Sequence, residues 1–205
     1  LLLPNSDKIV YEYNVAMRIL VAGAMGLAGS AVVRALENSN HDVIAIGKSE
    51  VDLLDRDATF SYLKTSKPDV VIDAAARVGG IGANSNFPVD FLSENLRIQL
   101  NLMDASHHVD VDKFIFLGSA CIYPRICEQP IKEEYLMTGL LEPTNSAYAL
   151  AKIAGIEAIS SYRKQFKRRW ISIMPTNLYG PNDNFNEENG HVLPALIAKF
   201  YRANQ

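Results

Sequence analysis

Tyr148 and Lys152 lie in the run Asn145-Ser146-Ala147-Tyr148-Ala149-Leu150-Ala151-Lys152. On a helix, residues at this spacing share one face, one turn apart. A phenol, with an unperturbed pKa of about 10, moves protons poorly near neutrality. A lysine cation beside it is expected to stabilise the phenolate and draw that pKa toward the working range. Ser119 adds a hydroxyl just after the apolar run Phe114-Ile115-Phe116-Leu117. Two hydroxyls on a carbonyl oxygen, with a hydride approaching the carbon, make a ketone-reducing site. The Tyr-x-x-x-Lys pair is weak by itself, because both residue types recur at this spacing on surface helices as a packing aromatic and a solvated charge.

A second group of residues points the same way. Gly23-Ala24-Met25-Gly26-Leu27-Ala28-Gly29 follows the apolar run Ile19-Leu20-Val21-Ala22 and opens an amphipathic segment. Small residues in a first strand-to-helix turn let the backbone approach a pyrophosphate, whose charge the helix N-terminus favours. The spacing is G-x-x-G-x-x-G rather than G-x-G-x-x-G, and its position carries the reading. Past the second strand, Lys48 and Ser49 suit a ribose 2'-phosphate better than a bare ribose diol, which favours NADP(H). Asp52 can face the adenine or close a turn, and Asp55 is expected to cap the next helix.

These residues need a frame that alternates strands with helices. Apolar runs over 19–22, 43–46, 70–72, 114–117 and 171–174 read as strands. Between them lie helical stretches after the glycine loop, over 56–67, over about 88–108 and over 146–166. Asn145 or Ser146 is positioned to cap the last of these. Strands separated by helices of this length predict an α/β fold with a parallel, doubly wound sheet. The layout divides into an N-terminal extension at 1–16 outside the fold, a dinucleotide-binding domain at 17–176, and the start of a smaller lobe at 177–205.

Composition excludes several alternatives. The 205 residues are 48% apolar and 21% charged, ordinary for a globular protein. A formal charge of -3 gives no general grip on nucleic acid. The basic run Arg163, Lys164, Lys167, Arg168 and Arg169 fits a helix C-terminus, where cations are favoured. No apolar run reaches membrane-spanning length. Cys121 and Cys127 make no disulfide framework and lack zinc-ligand company, so no metal site is expected. His107 and His108 point apart on a helix, and His41 reads as a turn residue. The compartment expected from these features is the cytoplasm.

With the glycine turn, the strand-end serine and Tyr-x-x-x-Lys in this order, the chain resembles the extended short-chain dehydrogenase/reductases. Within them it is similar to the GDP-L-fucose synthase family. The motifs are Ala74-Ala75-Ala76-Arg77-Val78-Gly79-Gly80-Ile81, Gly118-Ser119-Ala120-Cys121-Ile122-Tyr123-Pro124 and Glu142-Pro143-Thr144-Asn145. They continue with Tyr148–Gly155, Pro175-Thr176-Asn177-Leu178-Tyr179-Gly180-Pro181, Asp183-Asn184-Phe185 and His191-Val192-Leu193-Pro194-Ala195-Leu196. The resemblance implies a Rossmann-like domain and a substrate, GDP-4-keto-6-deoxy-D-mannose, that is inverted at C3 and C5 and then reduced at C4. It implies catalytic roles for Ser119, Cys121, Tyr148, Lys152 and His191. Cys121 and His191, with reference pKa values of about 8.5 and 6.5, are the pair that would exchange protons during inversion.

Cofactor contacts carry over to the glycine loop, Lys48, Ser49, Asp52, Leu53, Leu117, Gly118, Ser119, Ala120, Lys152, Pro175, Thr176, Asn177, Leu178 and His191. Substrate contacts carry over to Asn177 and Lys199. Two departures stand out: Met25 occupies a position that is often basic in the family, which leaves the 2'-phosphate to Lys48, and the family's later substrate contacts fall beyond residue 205. The chain thus reads as a shortened form of the family. The resemblance further implies that the helices over 88–108 and 146–166 pair with those of a second copy, giving a homodimer. Two other classes stay open, an NAD-linked nucleotide-sugar 4-epimerase or 4,6-dehydratase, which shares the reductase core and needs no cysteine and histidine pair, and a non-catalytic dinucleotide-binding module.

Overall fold

A computed structural model of the chain describes residues 15–186 and 190–204. The expected extension at 1–16 therefore falls almost wholly outside the described residues. Strand β1 (Arg18–Ala22) lies between β2 (Asp42–Ile46) and β3 (Val70–Asp73), with β4 (Lys113–Leu117) and β5 (Ile171–Ile173) beyond. The order is β2-β1-β3-β4-β5 and every pairing is parallel. Ile19, Leu20, Val21 and Ala22 are all buried, because an inner parallel strand is covered on both faces.

Helix α1 (Leu27–Leu36) packs Val32, Val33 and Leu36 against the face formed by Ile19, Val21 and Val70. The opposite face, with Leu20, Ala22, Val71, Phe114 and Phe116, takes Leu63 of α2 (Arg56–Ser66) and Leu102 and Met103 of α4 (Pro88–His108). It also takes Ile159 of α5 (Ser146–Phe166). This is the doubly wound, Rossmann-like sheet the alternation predicts. Two helices were not predicted, the short α3 (Ile81–Asn86) and α6 (Val192–Ala203), the latter despite apolar residues at helical spacing over 192, 193, 196, 197 and 200.

Local chemistry explains the boundaries. Asp55 caps α2 as expected, its carboxylate accepting from the Ala58 N–H at 3.0 Å. At α5 the cap expectation is corrected. Asn145 holds the capping position, but its side chain makes no cap bond and its Oδ1 is buried without a partner. The Ser146 hydroxyl donates to the Pro143 carbonyl instead. Strand β5 stops at Ile173, one residue short of the expected end. In the basic run, Arg168 pairs with Asp110 and reaches His107, and Arg169 pairs with Asp112 at 3.5 Å, so this end is ion-paired as well as solvated.

The sheet is tightly closed where α4 and α5 meet it. A Cβ built on Gly155 of α5 would stand 2.4 Å from the Phe116 ring and 2.9 Å from Gln99 Oε1. Gln99 of α4 in turn donates to the Ala151 carbonyl at 2.7 Å. These contacts fix α5, and with it Tyr148 and Lys152, against the C-terminal end of β4. That end neighbours the point where strand order reverses between β1 and β3, the place where open α/β sheets bind ligands.

Candidate active site

At the end of β4, Gly118 donates its N–H to the Ile173 carbonyl at 2.8 Å, and a Cβ there would strike Met174 Sδ at 2.5 Å. A side chain at this position would have to displace the Met174 thioether and would lie 3.2 Å from the Ile173 carbonyl oxygen. Ser119 follows in extended geometry and opens a 3-10 turn, Ala120–Ile122, with its hydroxyl accepting from the Cys121 N–H at 3.3 Å. From α5, Tyr148 presents its phenol to the Ser119 hydroxyl, and Cys121 stands close enough to act on it electrostatically. Phe91 packs edge-on against the Tyr148 ring, at 6.4 Å between centroids. Ser119, Cys121 and Tyr148 thus converge.

Lys152 is almost fully buried. Its ammonium donates to the Leu117 carbonyl at 2.8 Å and lies 4.7 Å from the Phe116 ring centroid and 5.9 Å from that of Tyr148. The expected depression of the phenol pKa is not what the structure has. Burial pushes Tyr148 up to about 12, with Cys121 adding to the rise and the Ser119 hydrogen bond only partly opposing it. The reason is placement: the ammonium is turned to the Leu117 carbonyl and lies over the Phe116 ring rather than at the phenol oxygen. Tyr148 is therefore held as a protonated acid.

The glycine turn after β1 is shaped for close approach. Gly23 has a φ of +74°, and a Cβ there would stand 2.7 Å from the Ala74 carbonyl oxygen and the Ala75 backbone. A Cβ on Gly29 would meet the Gly23 carbonyl oxygen at 2.1 Å, so α1 can enter this close to the turn only with glycine. Gly26 caps α1 without a side-chain bond, and the first turn holds no acidic residue, which leaves its N–H groups for an anion. Ala24 is buried, Leu27 and Ala28 are half-buried, and Met25 is exposed on the loop.

At the end of β2 Lys48 and Ser49 are both exposed. Ser49 is already engaged, its hydroxyl donating to Glu50 Oε1 at 2.7 Å, while Glu50 Oε2 accepts from the Gly47 N–H at 2.7 Å. Those bonds hold the Glu50 carboxyl below its ordinary range, so an anion stands beside Lys48. Asp52 closes its own turn by accepting from the Leu54 N–H at 3.0 Å, and the Leu53 carbonyl accepts from Asn101. Leu117 offers its carbonyl to Lys152, and Ala120 lies in the 3-10 turn.

Past β5, Pro175 is half-buried and Thr176, Asn177 and Leu178 are exposed. Asn182 donates to the Ser30 hydroxyl at 3.0 Å, which ties this loop to α1. His191 caps the N-terminus of α6, with Nδ1 4.0 Å from an Asp183 oxygen, and Lys199 is exposed on the same helix. Cys127 is free, as is Cys121.

The sequence reading passed over two buried polar groups behind the site, Asp73 and Asn95. Asp73 ends a strand whose other residues are Val70, Val71 and Ile72, and a lone carboxylate closing such a run was the available signal. Asn95 of α4 accepts from the Arg77 N–H at 2.9 Å and donates to its carbonyl at 3.0 Å, fixing the loop after β3. The Asp183 side chain is also buried, one oxygen accepting from the Asn184 N–H at 2.7 Å and lying 4.0 Å from His191 Nδ1.

Fold and site together define a Rossmann-like α/β protein with a glycine-rich first turn and a Ser-Tyr-Lys constellation at the next strand ends. The chain belongs to the NAD dependent epimerase/dehydratase family, whose model matches residues 19–205. It is 46% identical over 187 residues to a GDP-L-fucose synthase of Escherichia coli K12, covering 91% of this chain and 58% of that one. To a putative GDP-L-fucose synthase 2 of Arabidopsis thaliana it is 51% identical, covering 91% and 57%. The crystal structure of a GDP-L-fucose synthetase from Naegleria fowleri bound to NADP superposes with a TM-score of 0.85 at 36% identity, covering 91% of this chain and 62% of that one. The chain therefore spans somewhat over half the length of the curated relatives it matches.

Proposed function

We propose that the protein is a bifunctional NADPH-dependent epimerase-reductase that converts GDP-4-keto-6-deoxy-D-mannose to GDP-L-fucose. The observation that carries this reading is the convergence of a thiol, Cys121, with the Ser119 and Tyr148 hydroxyls at one strand end. A simple reductase needs the hydroxyls and not the thiol, and so does an NAD-linked 4-epimerase or 4,6-dehydratase. The relatives named GDP-L-fucose synthase, at 46–51% identity, favour the same assignment.

The residues present fit the coenzyme. Gly23 and Gly29 leave room that a Cβ would fill and α1 offers open N–H groups; Lys48, exposed just past β2, would meet the 2'-phosphate. Bound NADPH would supply the hydride for C4. The Ser119 and Tyr148 hydroxyls hold the C4 oxygen, which makes the hydrogens beside the ketone acidic by stabilising the enolate. Cys121 and His191 move protons on opposite faces at C3 and C5. Tyr148, protonated through burial, donates to the C4 oxygen, and Lys152 holds the coenzyme ribose. Asn177 and Lys199 contact the sugar nucleotide as residues 177–205 begin its lobe. Exposed Leu100 of α4 and Leu150 of α5 suit a homodimer through these helices, and the two free thiols suit the cytoplasm. No helix among the described residues is long and apolar enough to cross a membrane.

The full-length protein, given the keto sugar and NADPH, should release a product inverted at C3 and C5 by proton NMR. A product reduced at C4 with both centres unchanged would leave a plain reductase. Retained NAD with C4 inversion would favour the 4-epimerase instead.

A coenzyme prediction follows from Lys48. NADPH should bind more tightly than NADH, and Lys48→Ala should remove most of the difference. A charge-assisted contact contributes roughly 1.5–3 kcal/mol, and the neighbouring Glu50 carboxylate places this one toward the lower end. Fluorescence titration showing equal NADH and NADPH affinity, with no effect of Lys48→Ala, would remove the claim.

A further inference from the structure

Asp73 is fully buried at the last position of β3, in register with Ala22 of β1 and Phe116 of β4. Alternation along the strand puts it on the same face as Val71, the face packed by α4 and α5. One carboxylate oxygen accepts from the Ala75 N–H at 3.1 Å, and the other, Oδ2, is buried with no hydrogen-bond partner. An ionised carboxylate so placed is costly unless a charge compensates it. Lys152 of α5 is the charged group that acts on it, standing over the ring of Phe116, directly opposite Asp73 in the sheet. The buried residues of α4 include the neutral amides Asn95 and Gln99 and no titratable group, the one charged residue of β1, Arg18, is exposed, and the Tyr148 ring of α5 lies 5.9 Å from the ammonium.

We propose that Asp73 is a positioning residue, the buried counter-ion that keeps Lys152 charged and holds its ammonium at the end of β4. Lys152 is thereby drawn toward the Leu117 carbonyl rather than the Tyr148 oxygen. Its functional consequence rests on the epimerase-reductase reading; the charge pairing does not. Burial raises the Asp73 carboxyl to about 6 against the pull of Lys152, and the same burial lowers Lys152 against the pull of Asp73. Because the folded carboxyl binds its proton more tightly than the ordinary value of 3.8, Asp73 makes stability fall as pH rises from about 4 to about 6.

A double-mutant cycle on unfolding in denaturant tests the pairing without any catalysis. At neutral pH, Asp73→Asn should destabilise the protein that has Lys152, since it strands a buried cation. In the Lys152→Met background the same change should stabilise, because it removes an unpaired buried carboxylate. An equal effect in both backgrounds would overturn the pairing. Should Asp73→Asn fail to fold, carbon-13 titration of the aspartate carboxyls in Lys152→Met gives the answer. The Asp73 midpoint should move above its value with Lys152 present, and an unmoved midpoint overturns the proposal. The positioning role is read from NADPH affinity against pH. In Asp73→Asn, affinity should fall with rising pH, by up to about tenfold per unit above the lowered Lys152 pKa, where the unsubstituted protein stays flat. Parallel profiles would overturn that role. A reversed cycle in a protein that fails to reduce the keto sugar would refute the functional reading alone.

Discussion

Tyr148→Phe is expected to lower the rate of C4 reduction by about 10²–10⁴-fold, the contribution of a positioned proton donor. The phenol sits where the Ser119 hydroxyl can share the ketone oxygen, and its ring is fixed by Phe91, so the substitution keeps the packing and removes only the oxygen. Coenzyme binding should change little. Since burial holds the phenol up to about 12, the acid form persists across neutral and moderately basic pH. The pH profile of kcat/KM for reduction reports the free enzyme, so it should lack a basic limb from Tyr148 below about 10, the unperturbed value. A limb near neutrality that disappears in Tyr148→Phe would mean the phenol is already depressed without ligands. The buried geometry of Lys152 would then not describe the working state.

That outcome bears on what the sequence could and could not convey. Spacing alone places Tyr148 and Lys152 on one helix face, and strand and helix runs place the glycine turn, Ser119 and α5 around one end of the sheet. Periodicity carries such information because it depends on which side of an element is buried. The direction of the Lys152 ammonium does not depend on periodicity. It depends on a carbonyl at Leu117, 35 positions away, a contact that exists only once the chain is folded. The same holds for Ser49, whose hydroxyl is taken by its neighbour Glu50, and for Asn145, which reaches the cap position without making the cap bond. Helix α6 was missed because the motif His191-Val192-Leu193-Pro194 contains a proline. At the third helical position, in the first turn, proline gives up an N–H that has no partner within the helix.

Cys121→Ala should suppress hydrogen exchange at C3 and C5 by about 10²–10⁴-fold when the keto sugar is held in heavy water without NADPH. Enolate formation needs a base and an acceptor for the oxygen charge, and no hydride. The exchange therefore isolates the first half of the chemistry from the second. Cys121 is half-buried in the 3-10 turn after Ser119, where alanine fits the backbone and removes little packing, so a change in rate reads the thiol rather than the fold. His191→Ala should suppress inversion while some exchange survives through Cys121, because a proton removed and returned on one face leaves configuration unchanged. His191 stands at the start of α6, with its Nδ1 4.0 Å from an Asp183 carboxylate oxygen. Tyr148→Phe should leave part of the exchange, since Ser119 still contacts the enolate oxygen, and strike reduction hardest. NMR of the recovered sugar distinguishes these cases by which positions carry deuterium and which are inverted. If Cys121→Ala exchanges and inverts at the normal rate, the thiol is structural, and the Tyr148-dependent reduction that remains is that of a nucleotide-sugar reductase with no epimerase half.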